Sequence, residues 1–111
     1  MNAALAEDFD FEFDIDQMSH GATDATQFLK AIGHEGQLMI LCRLAEGECS
    51  VTEFETLLSA RQAAVSQQLA RLRLEGLVGT RREGKSIYYF LADDRVKAII
   101  PVLYNLFCKK D

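Results

Sequence analysis

From Ser50 onward the apolar positions change period in a fixed order. Val51, Phe54, Leu57 and Leu58 recur at helical spacing. They follow Ser50-Val51-Thr52-Glu53, a pattern in which a hydroxyl and a carboxylate satisfy each other's backbone N–H groups. After the polar Ser59-Ala60-Arg61, the residues Val65, Leu69 and Leu72 form the apolar stripe of a longer helix over about Gln62 to Glu75. Gly76 then stands where a helix closes on a left-handed residue. Leu77 to Arg81 and Ser86 to Leu91 are β-rich runs around a Glu83-Gly84 turn.

The flanking segments read as helical. Thr23 or Asp24 can start a helix bearing Phe28, Leu29 and Ile32, ended by Gly33. His34-Glu35 opens a second, whose run Leu38-Met39-Ile40-Leu41-Cys42 is apolar nearly all round and predicts burial, and which stops near Gly47. Asp93 or Asp94 can cap a final helix carrying Val96, Ile99, Ile100, Leu103 and Phe107. Within it Pro101 predicts a kink, or a helix that restarts there, because it removes one hydrogen bond and crowds the Lys97 carbonyl. The sum is a mainly α fold with a small β-hairpin, in the order α-α-α-α-β-β-α. That is the layout of a winged helix-turn-helix, whose second motif helix enters the DNA major groove while the hairpin reaches the backbone. The first and last helices carry more apolar surface than a 111-residue chain can cover, which predicts a symmetric homodimer through them.

A net charge of −5, taken as a total, argues against nucleic acid, but its distribution reverses that reading. Residues 1–24 hold seven acidic side chains and no Lys or Arg. Removing those seven from the chain's 17 leaves ten against all 12 bases, a net of +2. Between Arg61 and Lys85 six bases face two acids, and phosphate neutralisation is a local matter. The alternating run Asp8 to Asp16 has a strand period but would align like charges on one face. Residues 1–18 are therefore read as an acidic, disordered tail, and 19–111 as the DNA-binding and dimerisation domain. Two other readings of the tail stay open: it mimics DNA and lies on the basic surface, or its Phe side chains pack on the body or a partner.

No run approaches the roughly 18 apolar residues of a membrane span, and no basic-then-apolar leader opens the chain. Three cysteines without a close pair suit a reducing compartment. The expectation is a soluble, cytoplasmic protein without a cofactor. The two histidines lie upstream of the motif, and no base–nucleophile set is apparent, which argues against an enzyme.

On the longer motif helix, Gln62, Ser66, Gln67, Gln68 and Arg71 are the candidates for meeting bases and phosphates. Gln pairs with adenine edges and Arg with guanine, while Ser or Arg can hold phosphates. Arg81, Arg82 and Lys85 on the hairpin are the candidates for the minor groove or the backbone. Read alone, a Gln- and Arg-bearing face is an ordinary solvated one; the basic hairpin at the right distance is what tips the reading toward DNA. A winged helix that binds protein rather than DNA, with structural cysteines, is the rival class.

The runs Leu29-Lys30-Ala31-Ile32-Gly33-His34, Ala64 to Arg73, Glu75-Gly76-Leu77-Val78 and Arg81 to Leu91 resemble the ArsR/SmtB-type dimeric repressors over about residues 25–108. The resemblance implies a homodimer that blocks transcription at a pseudo-palindromic double-stranded DNA operator and is released by an inducer. Gln37 stands where Arg is common, Gln68 where His is common, and Ser59-Ala60-Arg61 replaces a Gly-Leu-Ser turn. Members that sense metals use a Cys-Val-Cys run or ligands on the last helix. Here those positions are Ser50, Val51 and Thr52, and no histidine follows His34. Such metals need convergent sets of Cys or His, so no metal is expected beyond a patchwork of Cys49, His34 and His20.

Cys42 and Cys108 resemble the thiol pair of the sulfide- and persulfide-responsive, biofilm-associated branch of that family. The resemblance implies an inducer among reactive sulfur species, which link the two thiols and free the DNA. A peroxide or general thiol-redox sensor of the same fold is the alternative. Each cysteine taken alone reads as an inert core filler, and Cys49 has no evident partner. At Cys108 the helix C-terminus disfavours a thiolate, while Lys109 and Lys110 favour it.

Overall fold

A computed structural model describes residues 12–58 and 62–108, without the side chains at 55, 57, 58, 62 and 63. The tail residues 1–11, the Ser59-Ala60-Arg61 turn, the side chains of Leu57, Leu58 and Gln62, and Lys109 and Lys110 therefore lie outside the described part.

Among the described residues five helices and a three-stranded sheet follow in the order α1 (Ile15–Ile32), α2 (Glu35–Leu44), β1 (Cys49–Ser50), α3 (Val51–Leu58), α4 (Gln62–Leu74), β2 (Val78–Glu83), β3 (Ser86–Leu91) and α5 (Asp94–Phe107). The expected winged helix-turn-helix order is present, with one addition. The short β1 pairs with β3, placing Cys49 opposite Tyr89 and Ser50 opposite Tyr88, so the hairpin is anchored as part of a sheet ordered β1-β3-β2.

Helix α1 begins well before the expected Thr23 or Asp24. The Asp14 carboxylate accepts from the backbone N–H of Asp16 at 2.9 Å and of Gln17 at 3.4 Å, taking the capping role. Thr23 and Asp24 become interior positions, and the Thr26 hydroxyl donates back to the Ala22 and Thr23 carbonyls. Residues 15–18, assigned to the acidic tail by sequence, are thus helical. The other ends follow expectation. His34 caps α2 through Nδ1, which accepts from Gly36 and Gln37. Ser50 and Glu53 close the reciprocal box, at 3.0 Å from the Ser50 N–H to the carboxylate and 3.3 Å from the Glu53 N–H to the hydroxyl. Those bonds hold the Glu53 carboxyl below its ordinary range. Gly76 ends α4 at φ 77, and Asp93 caps α5 by accepting from the Arg95 N–H at 2.7 Å.

Helix α5 runs through Pro101 as one element, so of the two expected outcomes, a kink or a restart, the restart does not occur. Lys97 and Pro101 are both exposed, so the carbonyl deprived of a donor lies on the solvent side, where water can serve it.

The core is drawn from every element. Ile40 and Leu41 of α2, Phe54 of α3, Val65, Leu69 and Leu72 of α4, and Val96 of α5 are all fully buried. Helix α2 is not enclosed all round, however: Met39 stays 47% exposed. Arg95 joins α5 to α1, forking onto Asp93 and stacking 4.7 Å above the Phe28 ring. This holds the Asp93 carboxyl below its usual range. Outward-facing apolar side chains concentrate on these two helices: Ile15, Met18 and Leu29 on α1, and Val102, Tyr104, Leu106 and Phe107 on α5.

Replacing the cap by Ser50→Ala should cost about 1 kcal/mol. It should lower the urea midpoint without changing the slope of the transition; an unaltered midpoint would show that the box does not hold α3.

Candidate nucleic-acid interface and thiol pair

On α4 the buried stripe fixes which residues are offered to solvent. With Val65, Leu69 and Leu72 inside, Ser66, Gln67 and Arg71 are exposed, together with Arg73. Gln68 points elsewhere. It is half-buried against the start of α2, where a Cβ on Gly36 would overlap its side-chain amide. A side chain at position 36 would have to displace that amide, the movable end of a flexible side chain. Gln62 begins α4. Gln37, beside this contact, is buried at 4% exposure, and its amide nitrogen has no hydrogen-bond partner among the described residues.

The hairpin pairs in register from Val78 opposite Leu91 to Glu83 opposite Ser86, and Gly84 takes φ 63 at its tip. Alternation along β2 sends neighbouring side chains to opposite faces of the sheet, and the three cations of the wing differ accordingly. Arg82 and Lys85 are exposed and form no ion pair among the described residues. Arg81 is engaged. Its Nε donates to Glu48 at 2.6 Å and one terminal nitrogen donates to Glu83 at 3.0 Å, while the guanidinium sits 4.9 Å above the Tyr88 ring. The Glu48 and then the Glu83 hydrogen bonds raise its pKa above the ordinary value. Nothing in the sequence marks Glu48, 33 positions away, as a partner, because only strand pairing brings the two together.

Cys42 and Cys108 line one groove of about 680 Å³ between α2 and α5, with Leu38, Met39, Ile100, Leu103, Tyr104 and Phe107 as its apolar walls and Glu46 and Asn105 at its polar positions. Cys42 is half-buried and Cys108 exposed. Burial first, and the neighbouring Cys108 second, push the Cys42 thiol above the ordinary range. Cys49 is fully buried, with its thiol directed at the Ser50 carbonyl at 3.5 Å. Its pKa is also raised by burial, offset in part by Arg43. Among the described residues no three Cys, His, Asp or Glu side chains converge as a metal site. No described helix is long and apolar enough to cross a membrane.

A polar face on the second motif helix, a cation-tipped hairpin anchored in the sheet, and the helix order together define a winged helix-turn-helix regulator. The profile of the bacterial regulatory proteins of the arsR family matches residues 34–80. The chain is 45% identical over 97 residues to the biofilm growth-associated repressor of Agrobacterium fabrum, covering 87% of this chain and 83% of that protein. To the transcriptional activator HlyU of Vibrio cholerae it is 41% identical over 95 residues, covering 86% and 88%. The solved transcriptional repressor BigR from Xylella fastidiosa superposes with a TM-score of 0.83 at 37% identity, over 88% of this chain and all of that one. The protein belongs to the ArsR family: it is a transcriptional regulator and not an enzyme.

The surroundings of the three thiols set an order of reactivity. Iodoacetamide should label Cys108 first and Cys42 more slowly. Labelling of Cys42 should accelerate roughly tenfold per pH unit from neutrality, since the thiolate is the nucleophile. Cys49 should label only on unfolding. Mass spectrometry of the three peptides reads this directly, and early labelling of Cys49 would contradict the packing.

Proposed function

We propose that the protein is a homodimeric transcriptional repressor whose hold on a pseudo-palindromic operator is released when reactive sulfur species link Cys42 to Cys108. The observation that carries this reading is the opening of both thiols, one from the second helix and one from the end of the last, onto a single apolar groove. Dimerisation through α1 and α5 is supported by the apolar side chains those helices leave exposed. Repression is supported by the likeness to a biofilm growth-associated repressor. In the dithiol state Ser66, Gln67 and Arg71, with Gln62 at the helix start, meet bases and phosphates, while Gln68 stays against α2. Arg82 and Lys85 reach the backbone, and the two half-sites lie about one helical turn apart.

The chemistry follows from the exposure of each thiol. Cys108 meets the donor first: its thiolate attacks the outer sulfur of a persulfide RSSH, forming a protein persulfide and expelling RSH. Cys42 is modified in the same way by a second donor. One of the two protein persulfides then attacks the inner sulfur of the other with loss of hydrogen sulfide, leaving a trisulfide. Two RSSH and two protein thiols thus become one trisulfide, two RSH and one hydrogen sulfide, with sulfane sulfur as the oxidant. A plain disulfide needs Cα atoms within roughly 7 Å; the inserted sulfur relaxes that limit and favours persulfide over peroxide. The bridge ties α2 to α5 and shifts the recognition helices relative to one another. A hundredfold loss of affinity requires only about 2.7 kcal/mol of coupling between the sites.

Cys42→Ser and Cys108→Ser should each keep operator binding in the reduced state and abolish release by persulfide, as read by a mobility shift beside mass spectrometry of the two peptides. If both variants still let go of the DNA, or if peroxide releases the native protein as well as persulfide does, the switch is not this pair acting through inserted sulfur.

A further inference from the structure

Among the described residues Arg81 is the one wing cation already bound to carboxylates, and the manner of its binding assigns it a different task from its neighbours. Arg81 on the edge strand β2 lies opposite Tyr88 on β3, and Tyr88 lies opposite Ser50 on β1. Glu48 is two residues before Ser50, so alternation returns it to the same face of the sheet. A row therefore crosses the sheet from the wing to the turn after α2. The Arg43 side chain holds that turn by donating to the Gly47 carbonyl at 3.3 Å. On its other side the turn shares a shallow groove with Phe90 and Leu91 of β3 and with Lys97 and Pro101 of α5.

We infer that Arg81 is a positioning residue, which fixes the wing to the turn ending α2 through Glu48 and makes no phosphate contact, leaving Arg82 and Lys85 as the backbone ligands of the wing. An isolated exposed ion pair contributes little. Here two carboxylates and one ring define the guanidinium position together, a geometry that lysine cannot reproduce. Reaching a phosphate would require Arg81 to abandon both carboxylates, which themselves repel the phosphate. Arg82, on the opposite face of the strand, meets no such obstacle. The turn fastened by Glu48 follows directly on the helix bearing Cys42, so displacement of that helix end reaches the wing through this pair. The phosphate part of the inference rests on the reading that the wing meets DNA.

The test separates geometry from charge. Without DNA, Glu48→Gln, Arg81→Gln and Arg81→Lys should each speed amide hydrogen exchange in β2 and β3 by a similar factor, and the Glu48→Gln/Arg81→Gln double variant should go no further. With a short operator duplex at fixed moderate salt, Arg81→Gln and Arg81→Lys should both bind about fivefold more weakly than wild type. Both should keep the wild-type dependence of affinity on salt. Arg82→Gln should instead flatten that dependence by roughly 0.9 for each phosphate it no longer neutralises. The inference is overturned if wing exchange is unchanged in Glu48→Gln, or if Arg81→Gln flattens the salt dependence while Arg81→Lys restores it. Should Arg82→Gln and Lys85→Gln both leave the salt dependence untouched, the wing does not meet DNA; that fault belongs to the functional reading, and the exchange rates still decide the role of Glu48 and Arg81.

Discussion

The architecture depends on α2 serving two neighbours at once. Ile40 and Leu41 are fully buried with Leu69 and Leu72 of α4 in one core, while Cys42, the next residue, turns half out toward α5. Interiors packed to crystal-like density cannot absorb a shift on one side alone. Toward α4 the helix is packed in this way, while toward α5 it borders the groove. The start of α2 also lies against α4, where Gly36 faces the side-chain amide of Gln68.

The parts of the fold that are legible in the sequence are those governed by local chemistry. A hydroxyl three residues before a carboxylate closes a box at Ser50 and Glu53, a glycine at 76 ends a helix, and Glu83-Gly84 sits at the tip of a hairpin. Each is settled within a few residues. The start of α1 is not, because Asp14, Thr23 and Asp24 are all capable caps, and the structure uses Asp14. The uninterrupted course of α5 through Pro101 likewise depends on that residue falling on the solvent side, which only the finished packing decides. Two residues of strand at Cys49 carry no pattern of their own, and β1 exists only because β3 offers it an edge.

The candidate site divides along the same line. Ser66, Gln67 and Arg71 can be placed by helical period alone, since the burial of Val65, Leu69 and Leu72 leaves them outside. Gln68 and Arg81 cannot. Each is claimed by a residue distant in sequence, Gly36 in one case and Glu48 in the other. The thiols need a resemblance to be paired, because no spacing rule joins a residue on the second helix to one at the end of the last. Their common groove is what brings the two together.

In a sheet ordered β1-β3-β2, the strand Val78–Glu83 has no neighbour on its outer side among the described residues. A bare strand edge is a template for adventitious pairing with other chains, and natural proteins commonly blunt such edges with charge. Arg81, Arg82 and Glu83 occupy the exposed half of this one. The ionised side chains of the hairpin therefore guard against sheet extension between molecules, and a wing stripped of those charges would be a stickier wing.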